Sequence, residues 1–316
     1  MASKPVLNYG PNGQFLRDVS GFRDEIKKGG EFEPEKGRYW IYASYGCPWA
    51  HRTLITRKLK GLEDTIGVSI VYPQVPWGFK RPDDIDANKD PIEDGTWDVE
   101  PLENVTMLKE IYEKASPGYS ARVTVPVLWD RKLGKIVNNE SSEIIRMLHA
   151  EFDEFATNKE LDLYPKELRG EIDALNEWVY NDINNGVYKA GFSKDQDGYE
   201  AAVYPLFEAM DRIEGILANN GGDYLVGGRL TEADVRLYVS MIRFDPAYYS
   251  TFRCNLKDIR HDYPHIHKWL RQLYWKNDAF NSTTNFEHLK VGYNRHGHVN
   301  PHGIVPAGPK QHILPL

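Results

Sequence analysis

Aromatic and β-branched residues run together at Arg38-Tyr39-Trp40-Ile41-Tyr42-Ala43, and such a run bounded by a turn predicts a strand. Tyr45-Gly46-Cys47-Pro48 reads as that turn. Trp49 to Lys60 reads as a helix, with Pro48 suited to its first turn, where a missing amide hydrogen costs nothing. Thr65 to Tyr72 predicts a second strand, and a β-turn-α-β order implies a parallel pair. Pro73 to Glu100 is polar and carries Asp83, Asp84, Asp86, Asp90, Glu93 and Asp94; it reads as a solvated loop. Loops of this length in compact domains are often functional. Helical spacing returns at Leu102, Val105, Leu108 and Tyr112. Arg122 to Trp129 reads as a strand with an internal Pro126, and Gly134 to Val137 as its hairpin partner. Glu140 to Phe152 reads as a helix with Ile144, Ile145, Leu148 and Phe152 on one side. The first 37 residues are rich in Gly, Pro and charge and read as an arm outside the core.

The second half of the chain is patterned almost wholly as helix. Ile172, Leu175, Val179 and Ile183 form one stripe, and Val203, Phe207, Met210, Ile213 and Leu217 another. Leu230-Thr231-Glu232-Ala233-Asp234-Val235 reads as a helix start: Thr231 and Asp234 have the spacing of a capping box, Leu230 and Val235 that of a hydrophobic staple. His265 to Trp275 predicts a further helix, and Gly292 to Leu316 a tail that wraps the surface.

A chain of 316 residues suggests two domains at roughly 100–200 residues each. The change of pattern puts the boundary near Ala156 to Asp162. No apolar run approaches the ~18 residues that span a bilayer, so no membrane partner is expected. The first residues lack the apolar stretch of a secretory signal. A net charge of -7 argues against nucleic acid as a partner. Two cysteines, Cys47 and Cys254, make no disulfide framework and fit a reducing, cytoplasmic setting. Eight Trp and nineteen Tyr are read first as packing.

Cys47 carries the candidate chemistry. A cysteine between a strand and a helix start lies at the positive end of the helix dipole, which favours thiolate, the nucleophilic form. Arg52, or a protonated His51, would add to this. Ala50 stands where a Cys-x-x-Cys motif has its second thiol, so a mixed disulfide at Cys47 must be resolved by an external thiol, for which a small cellular thiol is the natural choice. Cys254, in a helical region, reads as a buried small hydrophobe. A cis peptide at Val125-Pro126 would leave the Val125 backbone able to pair with an extended ligand. Asn138-Asn139-Glu140-Ser141-Ser142-Glu143 opens a helix whose amides and Ser141 hydroxyl would hold a carboxylate, with Glu140 accepting from an ammonium; plain N-capping is the alternative. His296, His298 and His302 lack carboxylate or Cys neighbours and read as surface histidines, with no metal site expected.

Several segments together resemble the glutathionyl-hydroquinone reductases, also called Xi-class glutathione transferases. They are Cys47-Pro48-Trp49-Ala50-His51-Arg52, Ser120 to Asp130 around Val125-Pro126, Asn139 to Arg146, Asn184-Asn185-Gly186-Val187-Tyr188-Lys189-Ala190-Gly191-Phe192 and Asn300-Pro301-His302-Gly303-Ile304-Val305-Pro306. The resemblance runs from about Tyr39 to Pro306. It implies an α/β plus all-α architecture: an arm and thioredoxin-like glutathione-binding domain over 1–158, then a glutathione-transferase-type helical domain over 159–316 with the hydroquinone site and the tail.

The resemblance further implies that Cys47 is the nucleophile and that Trp77, Arg122, Val125, Glu140 and Ser141 hold glutathione, Val125 through its backbone. Tyr188 and Tyr293 would line the hydroquinone site. Glutathione would be the co-substrate, aromatic glutathione conjugates the partners, and a homodimer the assembly. The reaction implied is glutathione-dependent reduction of glutathionyl-hydroquinones through a Cys47-glutathione mixed disulfide. An omega-like thioltransferase or dehydroascorbate reductase would use the same cysteine on a different electrophile. A non-catalytic binding module is disfavoured by the intact Cys47, Arg122, Glu140 and Ser141.

Overall fold

The computed structural model describes residues 8–10, 13, 15–83, 85–93, 95–98 and 104–316. In chain order the strands are β1 (Asn8–Tyr9), β2 (Phe15–Leu16), β3 (Tyr39–Ala43), β4 (Gly67–Ile70), β5 (Val127–Asp130) and β6 (Lys135–Asn138). The α-helices are α1 (Pro48–Leu59), α2 (Leu108–Ala115), α3 (Ser141–Ala150), α4 (Arg169–Trp178), α5 (Gly186–Gly191), α6 (Gln196–Asn219), α7 (Glu232–Arg243), α8 (Tyr249–Thr251), α9 (Ile259–Asp262), α10 (Pro264–Lys276), α11 (Asp278–Asn281) and α12 (Phe286–Asn294). They fall into two compact units. One comprises Ser20–Asp162 and Ser282–Gly292; the other comprises Leu163–Asn281, Tyr293–Leu316 and the described part of the first nineteen residues. Among the described residues no helix is long and apolar enough to cross a membrane.

The first unit is built on a four-stranded sheet of order β4-β3-β5-β6. β3 pairs parallel with β4, Ile41 opposite Val68, and antiparallel with β5, Ile41 opposite Leu128. β6 completes it antiparallel to β5, with a register shift at Leu128/Trp129. Tyr39, Ile41, Tyr42 and Ala43 are fully buried, as are Val127 and Leu128, which explains the continuous apolar runs: central strands covered on both faces need no polar alternation. α1 packs against α3. α1 shows no clean apolar stripe because His51, Arg52, Thr53 and Thr56 are buried along with Ala50, Leu54 and Ile55.

Three expectations are corrected here. The strand expected from Arg122 begins only at Val127, because the proline at 126 has no amide to give the ladder. The first 37 residues are not all peripheral. Ile26 and Phe32 are 1% and 3% exposed within the core of this unit, joined by a backbone bond from Lys27 to Phe32, and Asp24 donates its amide to Val137 beside β6. Nor is the acidic stretch after Pro73 simply solvated. Asp90 has a fully buried carboxylate that accepts from the Tyr72 hydroxyl at 2.6 Å and from Arg81 Nε at 2.8 Å, while Arg81 also donates to the Ile92 carbonyl. Phe79 and Ile92 are buried beneath it, and Asp98 accepts the Ile70 amide at 2.7 Å. Asp83, Asp86 and Glu93 are exposed; Asp84, Asp94, Glu100 and Leu102 lie outside the described residues.

The second unit is helical apart from the β1-β2 hairpin, where Tyr9 pairs with Phe15. The stripe Ile172, Leu175, Val179, Ile183 is buried but crosses two elements, α4 and a π-helical segment Val179–Asn184. The stripe Val203 to Leu217 is buried along α6. At the start of α7 the Asp234 carboxylate is fully buried and collects four donors: the Thr231 amide (2.9 Å) and hydroxyl (3.2 Å), the Leu225 amide (3.0 Å) and Trp269 Nε1 (3.0 Å). One side chain thereby ties the helix start to the preceding loop and to α10.

Candidate active site

Cys47 closes a tight turn and opens α1. Its amide donates to the Ser44 carbonyl (3.1 Å), and the Gly46 amide donates to Ser44 Oγ (3.2 Å). Cys47 is extended (φ −84°, ψ 121°) and its carbonyl accepts the His51 amide (3.0 Å), the first bond of the helix. The thiol is therefore at the amide-rich helix end, with no acidic residue in the first turn to oppose it. Cys47 is half-buried and its Sγ donates to the Val125 carbonyl at 3.4 Å. The Val125-Pro126 peptide is cis, and Val125 is 4% exposed.

Arg52 and Ser141 are brought together as well. The Arg52 guanidinium is buried, sits 4.6 Å from the Trp49 ring centre and donates to Ser141 Oγ at 3.4 Å. His51 is also buried, with Nε2 2.9 Å from Thr283 Oγ1. Glu140 is the N-cap of α3: Oε1 accepts the Ser142 amide (3.1 Å) and hydroxyl (2.9 Å), and Oε2 accepts from Ser20 Oγ (3.2 Å). A ligand ammonium at this carboxylate would share it with these donors. Trp77 follows a second cis bond, Val75-Pro76, is half-buried against the core, and accepts the Leu108 amide through its carbonyl (3.0 Å). Arg122 is exposed, and its carbonyl accepts from the Tyr119 hydroxyl (3.0 Å).

The segment Ser282–Gly292 belongs to this unit, a feature the tail-like composition of the sequence did not suggest; the spacing of Phe286, Leu289 and Tyr293 was the available signal. A Cβ on Gly46 would come 3.2 Å from the His288 carbonyl, so the turn before Cys47 tolerates little more than glycine. His288 is fully buried, edge-on to Tyr45 at 5.5 Å, with Nε2 2.8 Å from Thr96 Oγ1. Burial pushes its pKa down to about 4. A histidine depressed from about 6.5 stabilises the fold fully above pH 6.5, and that contribution is lost as pH falls toward 4. His288→Gln should therefore flatten the acid limb of the stability curve between these values, by up to about 3 kcal/mol. Urea melts of both proteins at pH 4.5 and 7.5 read the difference, and an unchanged pH slope would contradict it.

The other unit gathers a cluster of tyrosines. Tyr188 Oη lies 2.6 Å from Tyr293 Oη, which lies 3.0 Å from Tyr248 Oη. Phe252 stacks on Tyr248 (5.4 Å, interplanar 4°) and contacts the rings of Tyr188 (5.3 Å) and Tyr293 (5.4 Å). Burial raises the Tyr248 and Tyr293 hydroxyls well above their usual range, with the charge of Arg243 pulling in the opposite direction. An added Cβ at Gly191 would overlap the Phe252 ring, so the glycine lets that ring seat. Tyr248 went unnoticed in the sequence; it lies in a π-helical segment, Phe244–Tyr248, where the register departs from the 3.6-residue pattern. His296 is not a plain surface histidine: its ring lies 5.0 Å from Phe192, while His298 and His302 are exposed. Cys254 is buried, and burial pushes its thiol pKa far up. Among the described residues no group of three or more His, Cys, Asp or Glu is placed to hold a metal ion.

A thioredoxin-like sheet with a helix-capping cysteine, joined in sequence to an all-helical unit, defines a class of protein that comparison with known families makes explicit. Residues 46–151 match the glutathione S-transferase N-terminal domain and residues 196–272 the C-terminal domain. The chain is 49% identical over 304 residues to glutathione S-transferase omega-like 2 of Schizosaccharomyces pombe, covering 94% of each chain. It is 44% identical over 313 residues to glutathionyl-hydroquinone reductase YqjG of Escherichia coli, covering 95% of this chain and 90% of that one. The crystal structure of the Xi glutathione transferase ECM4 from Saccharomyces cerevisiae in complex with glutathione superposes with a TM-score of 0.91 at 44% identity, covering 96% of this chain and 99% of that one. The chain belongs to the glutathione S-transferase family, in its Xi class.

Proposed function

We propose that the protein reduces glutathionyl-hydroquinones to hydroquinones, with glutathione as co-substrate. The observation that carries this reading is Cys47 at the start of α1 with Ala50, not a second cysteine, three residues on. The Cys47 thiolate attacks the glutathionyl sulfur. The electron pair of the carbon–sulfur bond passes to the ring, whose keto tautomer makes that carbon a leaving group, and the carbon takes up a proton to give hydroquinone. Cys47 is left as a mixed disulfide with glutathione. A second glutathione, as thiolate, attacks the glutathione sulfur of that disulfide, releasing glutathione disulfide and restoring Cys47. In sum, one conjugate and one glutathione give one hydroquinone and one glutathione disulfide.

In this reading Trp77, Arg122, Val125, Glu140 and Ser141 hold glutathione, with the Val125 carbonyl beside the thiol and the start of α3 taking the γ-glutamyl end. Tyr188 and Tyr293 hydrogen-bond the oxygens of the ring. Tyr293 bonds both of the other hydroxyls, so Tyr293→Phe removes two hydrogen bonds while keeping the ring. It should lower kcat/KM on a glutathionyl-hydroquinone roughly 10–100-fold and leave turnover of a small glutathione mixed disulfide unchanged. Equal losses on both substrates would contradict the assignment. The protein is expected to work as a homodimer, which light scattering on the purified chain reads directly.

Relatives named omega-like favour a second reading, a thioltransferase or dehydroascorbate reductase using the same Cys47. Steady-state rates separate the two. The first reading expects the glutathionyl-hydroquinone to be turned over with a kcat/KM well above that for a glutathione mixed disulfide or dehydroascorbate; the reverse order would select the second.

A further inference from the structure

The amino-terminal hairpin places a cation on the tyrosine cluster. Phe15, 4% exposed, packs its ring 5.3 Å from Phe192, and Phe192 in turn lies 6.0 Å from Tyr188. Two residues on from Phe15, Arg17 holds its guanidinium carbon 4.8 Å from the centre of the Tyr188 ring. Its Nε donates to Asn185 Oδ1 at 2.7 Å, and Asn185 is buried immediately before α5, the helix that carries Tyr188. Lys194, over the Tyr9 ring at 3.8 Å, fixes the other strand of the hairpin. The guanidinium is thus held by a short hydrogen bond and by a ring face, on the one tyrosine of the three that is only half-buried. A cation over an aromatic face is held by the ring's quadrupole, and a guanidinium oriented through Nε keeps its other N–H groups for a planar anion.

We propose that Arg17 is a specificity-determining residue that makes the tyrosine cluster select aromatic conjugates bearing an acidic ring substituent, a carboxylate or an ionised phenol, over neutral ones. This rests on the reading of Tyr188 and Tyr293 as the aromatic site. The sequence gave no hint of it, because Arg17 lies in the arm and 168 positions from Asn185.

The test compares the full-length protein with Arg17→Gln and Arg17→Lys on two substrates, the glutathione conjugate of unsubstituted hydroquinone and that of 2,5-dihydroxybenzoate. The wild type should prefer the carboxylated conjugate. Arg17→Gln should cut the ratio of kcat/KM values, carboxylated over neutral, roughly tenfold, and Arg17→Lys should restore most of it. A ratio unmoved by Arg17→Gln, or an equal loss on both substrates, would overturn the proposal. Should the wild type turn over neither conjugate, the reaction proposed above fails, and equilibrium binding of free 2,5-dihydroxybenzoate against free hydroquinone decides on Arg17 separately. A carboxylate preference that vanishes in Arg17→Gln upholds the proposal, and equal affinities in the wild type defeat it.

Discussion

Cys47→Ser releases no hydroquinone from a glutathionyl-hydroquinone above background, a loss of at least about a thousandfold in kcat. The reason is chemical. The step needs a sulfur nucleophile that forms a disulfide with the departing glutathionyl sulfur, and a serine oxygen cannot form one. The helix start that favours a thiolate does far too little for an alkoxide, whose parent alcohol remains protonated at neutral pH. The variant should still fold normally, since a hydroxyl can donate to the Val125 carbonyl as the thiol does now. Product analysis by chromatography, beside an unchanged thermal melt, checks both halves of the expectation. Hydroquinone release at a rate near the wild type would remove Cys47 from the mechanism.

The second large effect concerns the fold. Asp234→Ala leaves the amides of Leu225 and Thr231 and the indole N–H of Trp269 buried without their acceptor. An unsatisfied buried donor costs about 1–3 kcal/mol, and removing one member of a buried network costs about 3–5 kcal/mol in all. Burial pushes the Asp234 carboxyl up to about 6 while its donors pull it back, so near neutral pH the residue is the ionised acceptor that all four donors need. Denaturant unfolding at pH 7.5 should show the helical unit losing about 3–5 kcal/mol, enough to make it the first part of the chain to melt. A loss below about 1 kcal/mol would mean that water replaces the carboxylate at this helix start.

Much of the first unit was legible in the sequence because its information is local. The Tyr39–Ala43 strand, the cysteine turn, α1 and α3 each announce themselves by composition or period within a dozen residues. The Thr231–Asp234 helix start was legible for the same reason. What escaped depends on distant partners. Asp90 reads as one more loop acid until Tyr72 and Arg81 are folded over it. Ile26 and Phe32 are isolated apolar residues in a polar arm, yet two such residues suffice to seat it on the sheet unit. Tyr248 is hidden by a π-helical turn that displaces it from the stripe a regular helix would show, and Tyr293 by a tail composition that masks a nine-residue helix. The glutathione and aromatic sites therefore divide differently. Cys47, Val125, Glu140 and Ser141 lie in readable turns and caps, whereas the tyrosine cluster draws on Tyr188, Tyr248 and Tyr293, 105 positions apart at its widest.

The most direct test of the account is an intact-mass and peptide-mass measurement on the protein after brief incubation with a glutathionyl-hydroquinone and no free glutathione. The account predicts a single glutathionyl adduct on the peptide containing Cys47, an unmodified Cys254, an equivalent of free hydroquinone in solution, and loss of the adduct when glutathione is added. An unmodified Cys47 peptide accompanied by hydroquinone release, or an adduct that carries the aromatic ring, would contradict it.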